Sequence, residues 1–159
     1  CSGFLFREKK YQRRIVKEKT EEYKIPYDRV LDLRNGIDFI NEEDEVITND
    51  ILTNSNVKAR TYAYCSDTRF CLDIIPKIKN VDVLYHEATF VEVLKDRAIA
   101  TYHSTALDAA NIAKKSGAGK LLMGHLSARY ETGDLHLKEA KTVFSNCQVV
   151  EDGERYVID

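Results

Sequence analysis

Four residues have side chains suited to metal or acid–base chemistry and lie at the ends of predicted elements: Asp67, Glu87, His103 and His125. Asp67 follows the run Thr61–Cys65, within Ser66-Asp67-Thr68-Arg69. A carboxylate just past a strand end faces the crevice where α/β proteins build sites. Capping the next helix is its ordinary alternative. His125 follows the apolar run Leu121–Gly124. Gly124 removes side-chain bulk in front of it, and a neutral imidazole there suits Zn²⁺. A histidine satisfied by the backbone is the plain reading. His86-Glu87-Ala88-Thr89 closes another run. Alternation sends His86 and Glu87 to opposite faces, so only one meets the cleft of Asp67, and spacing does not say which. His103-Ser104-Thr105 precedes an alanine-rich helix, whose first N–H groups attract phosphate. A histidine at that point can hand a proton to a leaving oxygen; a surface histidine beside a cap is the bland alternative.

Each signal is weak alone. Together they place an aspartate, a glutamate and two histidines at strand ends or helix starts, the wiring of a metal-dependent hydrolase. The set is incomplete for a two-metal centre: Asp67 and His125 are the convincing ligands, and the sequence has no His-x-His-x-Asp-His run.

The elements that must hold these residues alternate. Strands are expected at Thr61–Cys65, Val81–Tyr85 and Lys120–His125. Helices are expected over about 69–79, 90–99, from Ser104 or Thr105 to the stop at Gly117, and from Asp134. A final hairpin is expected from Gln148 to Ile158 around Glu151-Asp152-Gly153. Alternating strands and helices give βαβ units and an α/β layer fold. The division is 1–57, an edge strand plus a charged, arm-like segment, and 58–159, a βαβ half-domain. The first part carries Arg7-Glu8-Lys9-Lys10, Arg13-Arg14 and Glu21-Glu22, with sparse apolar residues, and reads as solvated.

The net charge of -2 at pH 7 excludes a protein that grips nucleic acid with its whole surface, so any RNA contact is local. No apolar run spans a bilayer. The four cysteines have no zinc-finger spacing and read as reduced thiols of a cytoplasmic protein. The chain opens in Cys1-Ser2-Gly3-Phe4-Leu5-Phe6, strand-like and without an initiator Met, as a piece of a longer protein would.

The series Cys65-Ser66-Asp67-Thr68-Arg69, His86-Glu87-Ala88-Thr89, His103-Ser104-Thr105 and His125-Leu126-Ser127-Ala128-Arg129-Tyr130 resembles the C-terminal motifs of ribonuclease Z, from about residue 58 onward. The resemblance implies the C-terminal half of an αββα metallo-β-lactamase-like sandwich and zinc-dependent removal of 3′ trailers from precursor tRNA by a homodimer. It implies that Asp67 and His125 are zinc ligands, with Asp67 bridging a zinc pair. It implies that His103 assists at the scissile phosphate, oriented by Glu87, and that Arg129, Ser104 and Thr105 contact phosphate. Residues of about 17–50 occupy the place of the family's tRNA-gripping arm but lack its Gly-Pro-rich stretch. The rival readings are a phosphodiesterase for small diesters, a tRNA-binding fragment without activity, and a structural α/β domain. Half a sandwich would leave an apolar face bare, which predicts an oligomer.

Overall fold

A computed structural model describes residues 3–9, 11–54 and 58–158. Two expectations fall outside these residues: the state of Cys1 and the division between residues 57 and 58. By contacts the chain forms two compact units, 9–59 and a second made of 1–8 with 60–159. In chain order the elements are β1 (Gly3–Arg7), β2 (Arg14–Ile15), α1 (Lys17–Glu22), α2 (Val30–Arg34), β3 (Phe39–Ile40), β4 (Val46–Ile47), α3 (Asn49–Leu52) and β5 (Thr53–Asn54). They continue with β6 (Thr61–Cys65), β7 (Val83–Glu87), α4 (Lys95–Ala100), α5 (Ala106–Ser116), β8 (Lys120–Gly124), α6 (Asp134–Lys141) and β9 (Cys147–Val149).

The larger unit is built on one five-stranded sheet in the order β1-β6-β7-β8-β9. β1 runs antiparallel to β6, and β6, β7, β8 and β9 are parallel. Alternation sorts its two faces. Ala63, Leu84, Leu121 and Met123 pack with Ala106, Ala109, Ala110, Ile112 and Ala113 of α5 in one buried cluster. The small alanine face lets α5 lie close to the sheet. Thr105 caps the helix reciprocally with Asp108, and Gly117 ends it at φ +70°, a conformation that favours glycine. The other face is aromatic. Phe4 lies opposite Tyr64, and Tyr64 opposite Tyr85, in register. Tyr64 and Tyr85 stack at 4.8 Å between centroids, Phe6 and Tyr62 at 5.9 Å. Phe4 and Phe6 are exposed.

Three sequence expectations change. The helix over 69–79 is only a 3-10 turn, Leu72–Ile74. Pro76 has no N–H to give the Leu72 carbonyl, which Ile75 takes instead at 3.1 Å. The second strand starts later and ends later, at Val83–Glu87, so His86 and Glu87 lie inside it. The closing hairpin keeps its turn, with Gly153 at φ +86°, but forms no second strand among the described residues; Ile158 is tied instead to the Arg60 guanidinium.

Residues 9–59 are not merely solvated. Leu33, Phe39, Ile47 and Leu52 are buried together, with Ile15, Tyr23 and Ile25 against them. Buried Asn49 pins the loops around this small core. Its amide nitrogen donates to the carbonyls of Leu33 and Ile37, and its Oδ1 accepts from Thr53.

Candidate active site

β6, β7 and β8 are parallel neighbours, so their C-terminal ends open on the same edge of the sheet. Asp67 lies two residues beyond β6, Glu87 ends β7, and His125 follows β8. Asp67 and His125 both have left-handed backbones, at φ +51° and +57°. For residues other than glycine this is uncommon and costs strain, and such strain gathers at functional sites. Here it turns the two side chains together: His125 Nε2 lies 2.9 Å from Asp67 Oδ1. Both are exposed.

Glu87 is fully buried and is the hub of the site. Its Oε1 accepts from the Thr68 backbone N–H at 2.6 Å and pairs with His103 Nδ1 at 2.9 Å. Its Oε2 accepts from Thr89 Oγ1 at 2.6 Å and from the Ser104 N–H at 3.0 Å. One carboxylate thus joins the loop after β6 to the loop before α5. Ser104 Oγ doubles the tie by donating to the Thr68 carbonyl at 2.6 Å. The pair left open by alternation resolves in favour of Glu87. His86 turns into the interior, where its Nδ1 lies 2.7 Å from the Glu87 carbonyl oxygen and its Nε2 has no partner among the described residues. Burial pushes the His86 imidazole below its ordinary pKa, opposed by that carbonyl contact.

With Nδ1 held by Glu87, the His103 ring presents Nε2. Ligand atoms of Asp67, His103 and His125 all lie within 4.8 Å of one another. His103 therefore joins the two expected metal ligands in one group, a proximity that its place in the sequence does not announce. Asp67 and His125 offer a carboxylate and an imidazole that fit a borderline-soft divalent cation. These two donors leave room for water and further ligands, with His103 Nε2 beside them as a ligand when unprotonated and a proton donor when protonated.

Arg129 is exposed at the rim. Its Nε donates to Ser127 Oγ at 2.9 Å, and its guanidinium lies 5.2 Å from the Phe90 ring centroid. Phe90 in turn meets the His103 ring edge-on at 6.3 Å. Ser104 and Thr105 are fully buried. Thr105 Oγ1 donates to Glu92 and accepts from the Asp108 N–H, so both hydroxyls fix the loop instead of reaching outward. Thr68 and Thr89 are the contributors that the sequence reading missed. Thr89 stands in the His-Glu-Ala-Thr run, and Thr68 acts through its backbone, which no residue type betrays. Tyr85 lies behind Gly124, and a Cβ at 124 would come within 3.0 Å of its ring carbons. Burial pushes the Tyr85 hydroxyl up to about 12.

The chain is 46% identical over 146 residues to "Ribonuclease Z" of Bacteroides fragilis, covering 92% of this chain and 48% of the relative. It is 46% identical over 155 residues to "Ribonuclease Z" of Parabacteroides distasonis, covering 98% of this chain and 51% of the relative. The chain thus spans about half the length of the curated relatives it matches. No family model matches it. Among solved structures, the metallo-β-lactamase fold protein YhfI from Bacillus subtilis aligns with a TM-score of 0.55 at 34% identity, over 60% of this chain and 39% of that one. The sheet with helices on one face is accordingly the C-terminal half of that αββα sandwich.

Proposed function

We propose, from a chain that matches the C-terminal half of ribonuclease Z, that it supplies half the active site of a zinc-dependent endoribonuclease removing 3′ trailers from precursor tRNA. The observation that carries this is the group Asp67–His103–His125 backed by the buried Glu87. Asp67 and His125 would hold zinc, with further ligands from outside this chain. When bound, the metal supplies a water of lowered pKa and neutralises phosphate charge. His103, with Nδ1 on Glu87, holds a proton at Nε2 for the leaving 3′ oxygen. Glu87 fixes the tautomer and the ring plane. Arg129 faces charge on the phosphate oxygens, its guanidinium steadied on Phe90.

Residues 9–59 are the arm-like segment in this reading. Arg13, Arg14 and Arg34 line one concavity of that unit; Arg13 is paired with Asp50, so Arg14 and Arg34 give it local attraction for RNA despite the chain's negative balance. The reading carries with it a cytoplasmic location and association into a homodimer or oligomer. No helix among the described residues is long and apolar enough to cross a membrane.

The test is His103→Ala in a protein carrying both halves. Precursor cleavage should fall by roughly 10²- to 10⁴-fold, the usual contribution of a general acid. Retention within about threefold refutes the assignment. Comparing a tRNA precursor with a small phosphodiester separates this reading from a small-diester phosphodiesterase.

A further inference from the structure

The residue before His103 is misplaced by the rules of helix ending. α4 closes with two bonds, Tyr102 N–H to the Ile99 carbonyl at 3.2 Å and His103 N–H to the Ala98 carbonyl at 2.8 Å. This pairing defines a left-handed stop in which the first residue past the cap is usually glycine. Tyr102 occupies that position at φ +60°. A bulky residue there is a genuine outlier, and glycine would fit without strain. The ring does not repay the strain by burial, since Tyr102 is 67% exposed. Among the described residues its hydroxyl has no hydrogen bond. Among the described residues the ring's one partner is Arg69, whose guanidinium lies 5.8 Å from the ring centroid. Arg69 is exposed and forms no ion pair among the described residues.

These two residues come from the two loops that Glu87 joins. Arg69 follows Thr68, and Tyr102 precedes His103. The strained stop therefore does two things: it delivers His103 to Glu87 and stands an aromatic ring beside it. An exposed ring with a guanidinium over it, one residue from a phosphate-directed histidine, has the chemistry of a stacking step for a nucleobase.

We propose that Tyr102 and Arg69 form the site on which the base next to the scissile phosphate stacks. This rests on the RNA-cleaving reading above and adds a base contact to it. Stacking is tolerant of base identity, since every base has a π-face, so the contact positions the strand without reading sequence.

The experiment replaces Tyr102 with Gly, Phe and Trp in the whole chain. The probe is a short single-stranded RNA spanning an acceptor end and trailer, read by fluorescence anisotropy in EDTA so that cleavage does not intervene. Tyr102→Gly should leave the melting temperature unchanged or raised, because it relieves the left-handed strain, and should weaken binding roughly 5- to 100-fold. Tyr102→Phe should bind within about threefold. Tyr102→Trp would be the chain's only tryptophan, and RNA should quench it. With the same RNA made abasic at the flanking nucleotide, wild type and Tyr102→Gly should bind alike. Equal binding of wild type and Tyr102→Gly to intact RNA overturns this proposal alone. So does a melting temperature that falls with Gly, which makes the ring a packing element, or a Phe variant as weak as Gly, which makes the hydroxyl the contact. Failure of the wild-type chain to bind RNA at all overturns the RNA reading and this proposal with it.

Discussion

Glu87→Gln is the perturbation with the most to lose. The carboxylate meets four donors: the Thr68 N–H, the Ser104 N–H, Thr89 Oγ1 and His103 Nδ1. A carboxylate has two accepting oxygens; a carboxamide has one oxygen and one donating NH₂. The Thr89 hydroxyl can turn to accept and His103 Nδ1 accepts in its other tautomer, but whichever way the Gln amide is turned its nitrogen confronts one backbone N–H, of Thr68 or of Ser104, that can only donate. Hydrogen bonds to charged groups contribute about 1.5–3 kcal/mol each, and buried donors left unpaired carry their desolvation cost. Losing that bond therefore destabilises the larger unit by about 1.5–3 kcal/mol. For a chain of this size each kcal/mol lowers the melting temperature by roughly 2–4 °C, so the lower bound predicts a fall of about 3–6 °C. Urea and thermal unfolding, followed by tyrosine near-ultraviolet signal and backbone circular dichroism, measure it. A loss below about 1 kcal/mol refutes the hub, because it would require the displaced backbone N–H to find another partner inside a fully buried pocket.

Further outcomes follow from other parts of the molecule. Asp67→Asn or His125→Ala should weaken zinc binding at least tenfold by isothermal titration while leaving unfolding within about 1 kcal/mol, since both side chains are exposed. Gly124→Ala should cost about 1–3 kcal/mol, because the new methyl meets the Tyr85 ring, and Tyr85→Ala should recover part of that loss in the double variant. Burial lowers the pKa of His86 and of His136. A histidine whose folded pKa is depressed stabilises the fold above its unfolded value of about 6.5, and that stability is lost as pH falls below it. Stability to urea should thus decline from about pH 6.5 downward, and His86→Asn should flatten the decline; an unchanged slope would remove His86 from the account.

What the sequence made legible was whatever period and punctuation encode. The runs Thr61–Cys65 and Lys120–Gly124 became strands because β-branched, aromatic and aliphatic residues sit between turn signals, and the alanine-rich face of α5 stood between Thr105 and Gly117. Asp67, His125 and the pair His86–Glu87 were findable because parallel strands place their C-terminal ends on one edge, but that placement left open which of the pair faces the cleft. What stayed hidden was carried by backbone groups and by contacts between distant segments. The donation of Thr68 N–H to Glu87 spans 19 positions, and the Ser104 N–H spans 17. No residue type marks either. The small core of residues 9–59 was missed because Leu33, Phe39, Ile47 and Leu52 come from four separate short elements, none long enough to show a period.

The same wiring bears on when the site forms. Its first layer is strained and exposed, with left-handed Asp67 and His125 offering ligand atoms to solvent. Its second layer is buried and closed by hydrogen bonds on Glu87. Strain persists only where the surroundings over-determine it. The anchoring bonds run from Glu87 to Thr68, beside Asp67, and to His103, and none of them needs a metal. His103 and the Asp67 loop are therefore held in place by the fold itself. Zinc addition should leave the position of the Asp67 loop and the Nδ1 bond of His103 nearly unchanged while engaging His125, which among the described residues is tied only to Asp67 and to the His103 ring at 5.4 Å. Histidine ring NMR of the chain with and without zinc distinguishes the cases. Small shifts at His103 Nδ1 beside a large one at His125 fit a preformed site; large shifts at both would mean that metal builds the site and that Glu87 does not.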